Sequence, residues 1–171
     1  MASRSEQVSE RQREALDRVL DTPLEELPAI DEHGVLVLAP VEETWKALLQ
    51  VVPRSFGGRG VDRVAGALGC CPAEASGPIE RIGSTLPGFV VVRVVEPAVL
   101  ALEGEHRYSR YGLVFRLEQT KDERTLLRAE TRARFPGFKG RLYRTLVIGT
   151  RGHVVAVNRI LRAVKKRAER A

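Results

Sequence analysis

The chain has 171 residues, 43% hydrophobic and 29% charged, with a net charge of +6. That is the length of one domain, enough to bury a core without staples, and the mix is ordinary for a globular protein. No apolar run approaches the ~20 residues of a membrane span, and Met1–Leu20 is too polar for a signal peptide. The cysteines are the adjacent pair Cys70–Cys71, a spacing that strains a disulfide, so they read as reduced thiols and the expected setting is cytoplasmic.

Met1–Ser5 reads as disordered and Glu6–Asp21 as a weakly amphipathic helix. Thr22-Pro23-Leu24-Glu25 has the form of a helix start, with Thr22 as cap and Glu25 closing a capping box. Pro28 keeps that turn short, and Pro28–Gly34 reads as connector. Val35–Leu38 is a short strand. Val41–Val52 is a helix with Val41, Trp45, Leu48, Leu49 and Val52 on one side, stopped by Pro53. Arg54–Gly60 reads as a loop and Val61–Leu68 as a second short helix.

From there the pattern is that of strands. Pro78–Ile82 reads as a short one and Phe89–Val95 is rich in β-branched residues. Glu96–Pro97 is a turn before Val99–His106. Ser109–Leu117 places Tyr111, Leu113, Phe115 and Leu117 on one face, with Arg110, Arg116 and Glu118 on the other. Val114 is the exception. Thr125–Phe135 sets Leu127, Ala129, Ala133 and Phe135 opposite Arg128, Glu130, Arg132 and Arg134. Period two with one charged face predicts an antiparallel sheet, wet on one side and covered on the other.

The cover is the last stretch, Phe138–Arg170. Leu146, Gly149, Val157, Ile160, Val164 and Ala168 recur at helical spacing, the stripe of a helix with one buried face. This segment holds ten basic residues against Glu169 alone, a charge of +9, which leaves −3 for the rest of the chain. The basicity therefore belongs to one helix.

The order of strand, two short helices, antiparallel strands and one long helix resembles the helix-grip fold of the START, Bet v 1 and polyketide cyclase superfamily (SRPBCC). Pro40-Val41-Glu42-Glu43-Thr44-Trp45 resembles that superfamily's first helix, and Leu86-Pro87-Gly88-Phe89-Val90-Val91 its glycine-led strand. Phe135-Pro136-Gly137 and Gly140-Arg141-Leu142-Tyr143 resemble the last strand and helix of its bacterial branch. The resemblance implies an α+β domain over residues 33–171, with a curved sheet around the C-terminal helix and a cavity between them. Residues 1–32 form an N-terminal extension, partly helical or disordered. It further implies binding of a small hydrophobic molecule such as a lipid, polyketide or aromatic, or a cyclase or dehydratase using the same cavity.

The expected ligand-binding set is Trp45, Tyr111, Phe115, Gly149 and His153, an apolar group with few polar anchors. His153 is the candidate acid or base, set against a histidine that bonds only the sheet or a loop. Arg93 reads as a wet-face charge or as a partner for a ligand carboxylate. No metal is expected, because His33, His106 and His153 are scattered, and no cofactor is expected. Nucleic acid is an unfavoured partner with aromatics at 5%. Arg162, Lys165, Lys166, Arg167 and Arg170 offer a weak anionic-surface contact, the basis of a third reading as an interaction module acting through the basic helix end, or a solvated helix end dispensable for folding. The oligomeric state is not legible.

Overall fold

The computed structural model describes residues 24–57, 70, 72–106, 109–136 and 152–170. The expected helices Glu6–Asp21 and Val61–Leu68, the Thr22 cap and the first half of the C-terminal helix, with Gly149, lie outside them.

Six strands form one sheet: β1 Ala29–Val37, β2 Thr85–Leu86, β3 Phe89–Val95, β4 Val99–His106, β5 Ser109–Gln119 and β6 Thr125–Arg134. Their order is β1-β6-β5-β4-β3-β2, antiparallel at every step. Helix α1, Val41–Phe56, and helix α2, Gly152–Ala168, cover one face. This is the α+β helix-grip arrangement. The expected periodicities explain it: Leu113, Phe115, Leu117, Leu127 and Ala129 point inward and are buried. They meet Val157, Ile160, Leu161, Val164 and Ala168 of α2, all buried. Each large aliphatic side chain so buried contributes about 1.5–3 kcal/mol.

Four sequence expectations need correction. The strand expected at Val35–Leu38 begins at Ala29, inside the stretch taken as connector. Asp31, His33 and Gly34 hide the strand pattern, but β6 offers a paired edge, and the register runs from Ala29↔Arg132 to Val37↔Thr125. Pro78–Ile82 is not a strand but a pair of turns, closed by Arg81 N–H to Pro78 O and Ser84 N–H to Arg81 O. Pro53 does not stop α1, which continues one turn to Phe56. Proline removes one helical hydrogen bond, and the packing of Phe56 on Phe89, ring centroids 4.7 Å apart, holds the extra turn in place.

The fourth correction concerns the end of α2. Lys165 Nζ donates to Leu36 O at 2.6 Å, Leu38 N–H donates to Glu169 Oε1 at 2.8 Å, and Ala168 is buried. The last turn thus ties the end of β1 to the helix and is part of the folded core. The Leu38 amide, followed by Lys165, holds the Glu169 carboxyl below its usual range.

The outer sheet face carries the expected cross-strand ion pairs, among them Arg116–Glu130 at 3.7 Å and Arg128–Glu118 at 3.6 Å. Such exposed pairs contribute a few tenths of a kcal/mol. Val114 breaks the polar alternation because this face is partly covered. The 3-10 turn Leu24–Glu26 and Leu27 pack on Ala101 and Val114 as a small second core. Arg132 and Arg134 donate to Leu27 O and Glu26 O, which fastens that cover.

Candidate functional site

Between the sheet and the N-terminal half of α2 lies a cavity of ≈ 280 Å³. Its wall is mainly apolar, and aromatic rings dominate one side. Phe56 from α1 packs on Phe89 of β3, and Phe89 meets Tyr111 of β5 edge-on with centroids 5.1 Å apart. Edge-to-face pairing of this kind fixes ring orientation.

Tyr111 is held at both ends. Its hydroxyl donates to Gly88 O at 2.9 Å, and its ring lies over Gly104, where a Cβ would come within 2.8 Å of it. The same Cβ would sit 1.9 Å from Gly88 O. Gly104 is therefore what lets the β2–β3 turn and the tyrosine approach strand β4 so closely. Gly88, with φ +82°, forms that turn after Pro87.

Polar groups enter the wall at two places. On one side, His106 Nε2 and Ser109 Oγ are 3.1 Å apart, both buried. Burial holds the His106 imidazole below its usual range. The unfolded chain therefore takes up that proton first. Stability should fall as pH drops from about 6.5 until the folded-state pKa is passed. His106→Gln should flatten that part of the dependence in melts between about pH 7 and pH 5. An identical slope in the variant would show that another group carries it.

On the other side, His153, in the first turn of α2, lies over β1. Its Nε2 donates to Asp31 Oδ2 at 2.7 Å, with side chains 17% and 22% exposed. A carboxylate only accepts, so Nε2 is the donor in this contact. His33 Nε2 stands 3.6 Å from the same carboxylate oxygen. Beside Asp31 in the sheet register is Thr131, which lines the cavity and whose hydroxyl oxygen is itself buried. Among the described residues the Thr131 hydroxyl has no hydrogen-bond partner.

Of the residues expected to bind ligand, Tyr111 and His153 are brought to this wall. Trp45 and Phe115 are not among its lining residues. Both are fully packed in the core, 2% and 0% exposed, where α1 packs on β5 and on α2. Gly149 is outside the described residues. Phe56, Thr131 and Asp31 were not singled out from sequence. Phe56 falls after a helix-stopping proline, and Asp31 in a polar stretch whose pairing only the sheet reveals. Phe135 carried a usable signal, as the last inward residue of the expected Thr125–Phe135 alternation, although β6 itself ends at Arg134. Arg93 is exposed at the bulge between Val91 and Arg93, away from the cavity lining. Among the described residues no group of His, Cys, Asp and Glu is arranged to hold a metal ion.

A six-stranded antiparallel sheet closed by a C-terminal helix over an apolar cavity defines a helix-grip protein. The chain has the fold of the START, Bet v 1 and polyketide cyclase superfamily. Among solved structures it is similar to protein CV1439 of Chromobacterium violaceum, at TM-score 0.53 and 11% identity, over 83% of this chain and 99% of that one. It is likewise similar to norcoclaurine synthase of Thalictrum flavum, at TM-score 0.51 and 13% identity, over 82% of this chain and 95% of the other. No protein-family model and no curated protein matches the sequence. No helix among the described residues is long and apolar enough to cross a membrane.

Proposed function

We propose that the protein binds a small, largely apolar molecule in the cavity between the sheet and α2. The observation that carries this reading is the wall itself. It combines the rings of Phe56, Phe89, Tyr111 and Phe135 with a few polar residues, His106, Ser109 and His153 among them. Ligand sites are mostly apolar with few placed polar groups. A lipid, a polyketide or a flat aromatic molecule each meets this description.

Titration with a neutral apolar fluorophore, N-phenyl-1-naphthylamine, tests it. The native protein should bind with a micromolar dissociation constant. Ala133 faces the cavity from β6 opposite Tyr111, so Ala133→Phe should weaken binding at least about tenfold as the ring occupies the space. Absence of binding by the native chain, or equal binding by a folded Ala133→Phe, would overturn the reading.

A second reading, an enzyme of the cyclase or dehydratase kind, draws on the His153–Asp31 contact. A carboxylate that orients a histidine and fixes its tautomer is how a general base is commonly prepared. Norcoclaurine synthase, on the same fold, has been captured with a transition-state analogue, which shows that this fold accommodates catalysis. His153→Ala separates the two readings. A carrier should lose at most about tenfold in affinity, whereas an enzyme should lose on the order of 10²–10⁴ in rate.

A further inference from the structure

The outer face of α2 carries a stripe of basic side chains. With 3.6 residues per turn, Arg159, Arg162, Lys166 and Arg170 fall within an arc of about 80°. That arc is opposite the buried stripe of Val157, Leu161, Val164 and Ala168. All four basic side chains are exposed, and none pairs with a carboxylate among the described residues. From Arg159 to Arg170 the stripe runs about 16 Å. It continues across a groove of ≈ 490 Å³ onto α1, where Arg54 also has no carboxylate partner among the described residues. The one acid lining that groove, Glu43, is bonded to Lys46 at 2.8 Å. Arg167 is held against Gln50 on the same seam.

Two large apolar side chains flank this field. Val155, 68% exposed, lies on the same arc of α2 one turn before Arg159. Leu38, 60% exposed, sits beside the last turn, with its amide bonded to Glu169. The groove lining contains no aromatic ring on which a base could stack. Cations in a plane with isolated aliphatic side chains at the margins suit a negatively charged surface that also admits hydrocarbon.

We propose that the outer face of α2, together with Arg54, docks the protein on an anionic lipid bilayer. Each Lys or Arg near such a surface contributes attraction that together amounts to useful affinity without insertion of a helix. The charge distribution of the whole chain agrees, since the last segment carries +9 and the remainder −3. The inference stands apart from the cavity reading, because none of these basic residues lines the cavity.

Co-sedimentation with vesicles of one part phosphatidylglycerol to two parts phosphatidylcholine tests it, with pure phosphatidylcholine as the contrast. The full chain should bind the charged vesicles, leave the neutral ones in suspension, and be released at about 0.5 M salt, where screening acts within a few ångströms. The triple variant Arg162→Gln/Lys166→Gln/Arg170→Gln should bind on the order of 10²-fold more weakly. It should keep its melting temperature and its affinity for N-phenyl-1-naphthylamine. Lys166→Gln alone should weaken binding by roughly fivefold. Equal binding to both vesicle types, or undiminished binding by the triple variant, would overturn the proposal. So would retention on a mixed-sequence DNA duplex with no binding to charged vesicles, which would make the face a nucleic-acid contact. Loss of apolar-probe binding with vesicle binding intact would count against the cavity reading and leave this one standing.

Discussion

Replacing Trp45 by alanine should destabilise the protein by about 3–5 kcal/mol. The indole is 2% exposed and belongs to the core cluster that also holds Leu100, Phe115 and Leu127. Nothing nearby is free to collapse into the space, since the neighbouring chains are themselves buried and fixed by the strands. For a chain of this size the loss corresponds to roughly 6–20 °C in melting temperature, a large share of the 5–15 kcal/mol typical of folded domains. Trp45→Phe should cost less. It keeps most of the packing and removes an indole N–H that is buried without an acceptor among the described residues. Thermal melts of both variants check this. Equal losses would mean that the N–H is satisfied and that only volume matters. An unchanged melting temperature in Trp45→Ala would contradict the packed position of the ring.

Gly104→Ala should be nearly as damaging for a different reason. Its Cβ would stand 1.9 Å from Gly88 O and 2.8 and 2.9 Å from two ring carbons of Tyr111. The first of these is backbone in a turn whose own glycine has φ +82°, so it cannot rotate away. Strand β4 and the β2–β3 turn must separate, and Tyr111 must leave its place. Overpacking of this kind typically costs about 1–3 kcal/mol and at times more. Because Tyr111 borders the cavity, the variant should also lose affinity for N-phenyl-1-naphthylamine. Tyr111→Phe is the control: it removes the 2.9 Å bond to Gly88 O and should cost about 1 kcal/mol. A Gly104→Ala protein with native melting temperature and native probe binding would sink this account of the cavity wall.

Neither effect is visible without the tertiary structure, though the elements that carry them are. Trp45 is plainly on the inner side of an amphipathic helix. Whether it faces a cavity or a filled core depends on how far α1 slides over β4 and β5, which its own pattern does not set. Gly104 reads in sequence as an ordinary glycine within a strand. Its meaning comes from a carbonyl sixteen positions earlier in the chain, brought against it by the β3–β4 pairing and the turn before β3.

Local periodicity determined the sheet and its cover. Alternation in Ser109–Leu117 and Thr125–Phe135, and the helical recurrence of Val157, Ile160, Val164 and Ala168, required one buried face on each element. Those faces had to meet, because apolar surface of that size must leave water. The concentration of basic residues on the last segment was equally legible, since charge is a property of composition. What only the tertiary structure decided were the contacts between distant polar residues. Asp31 sits in a stretch with no strand pattern, and it became part of a strand because β6 offered hydrogen bonds to an open edge. That pairing set Asp31 beside Thr131 and beneath His153, across 122 positions of sequence. Patterns of burial repeat along a chain and can be read from it. A polar contact at a cavity wall depends on the relative placement of three elements, and no segment of the chain holds that information by itself.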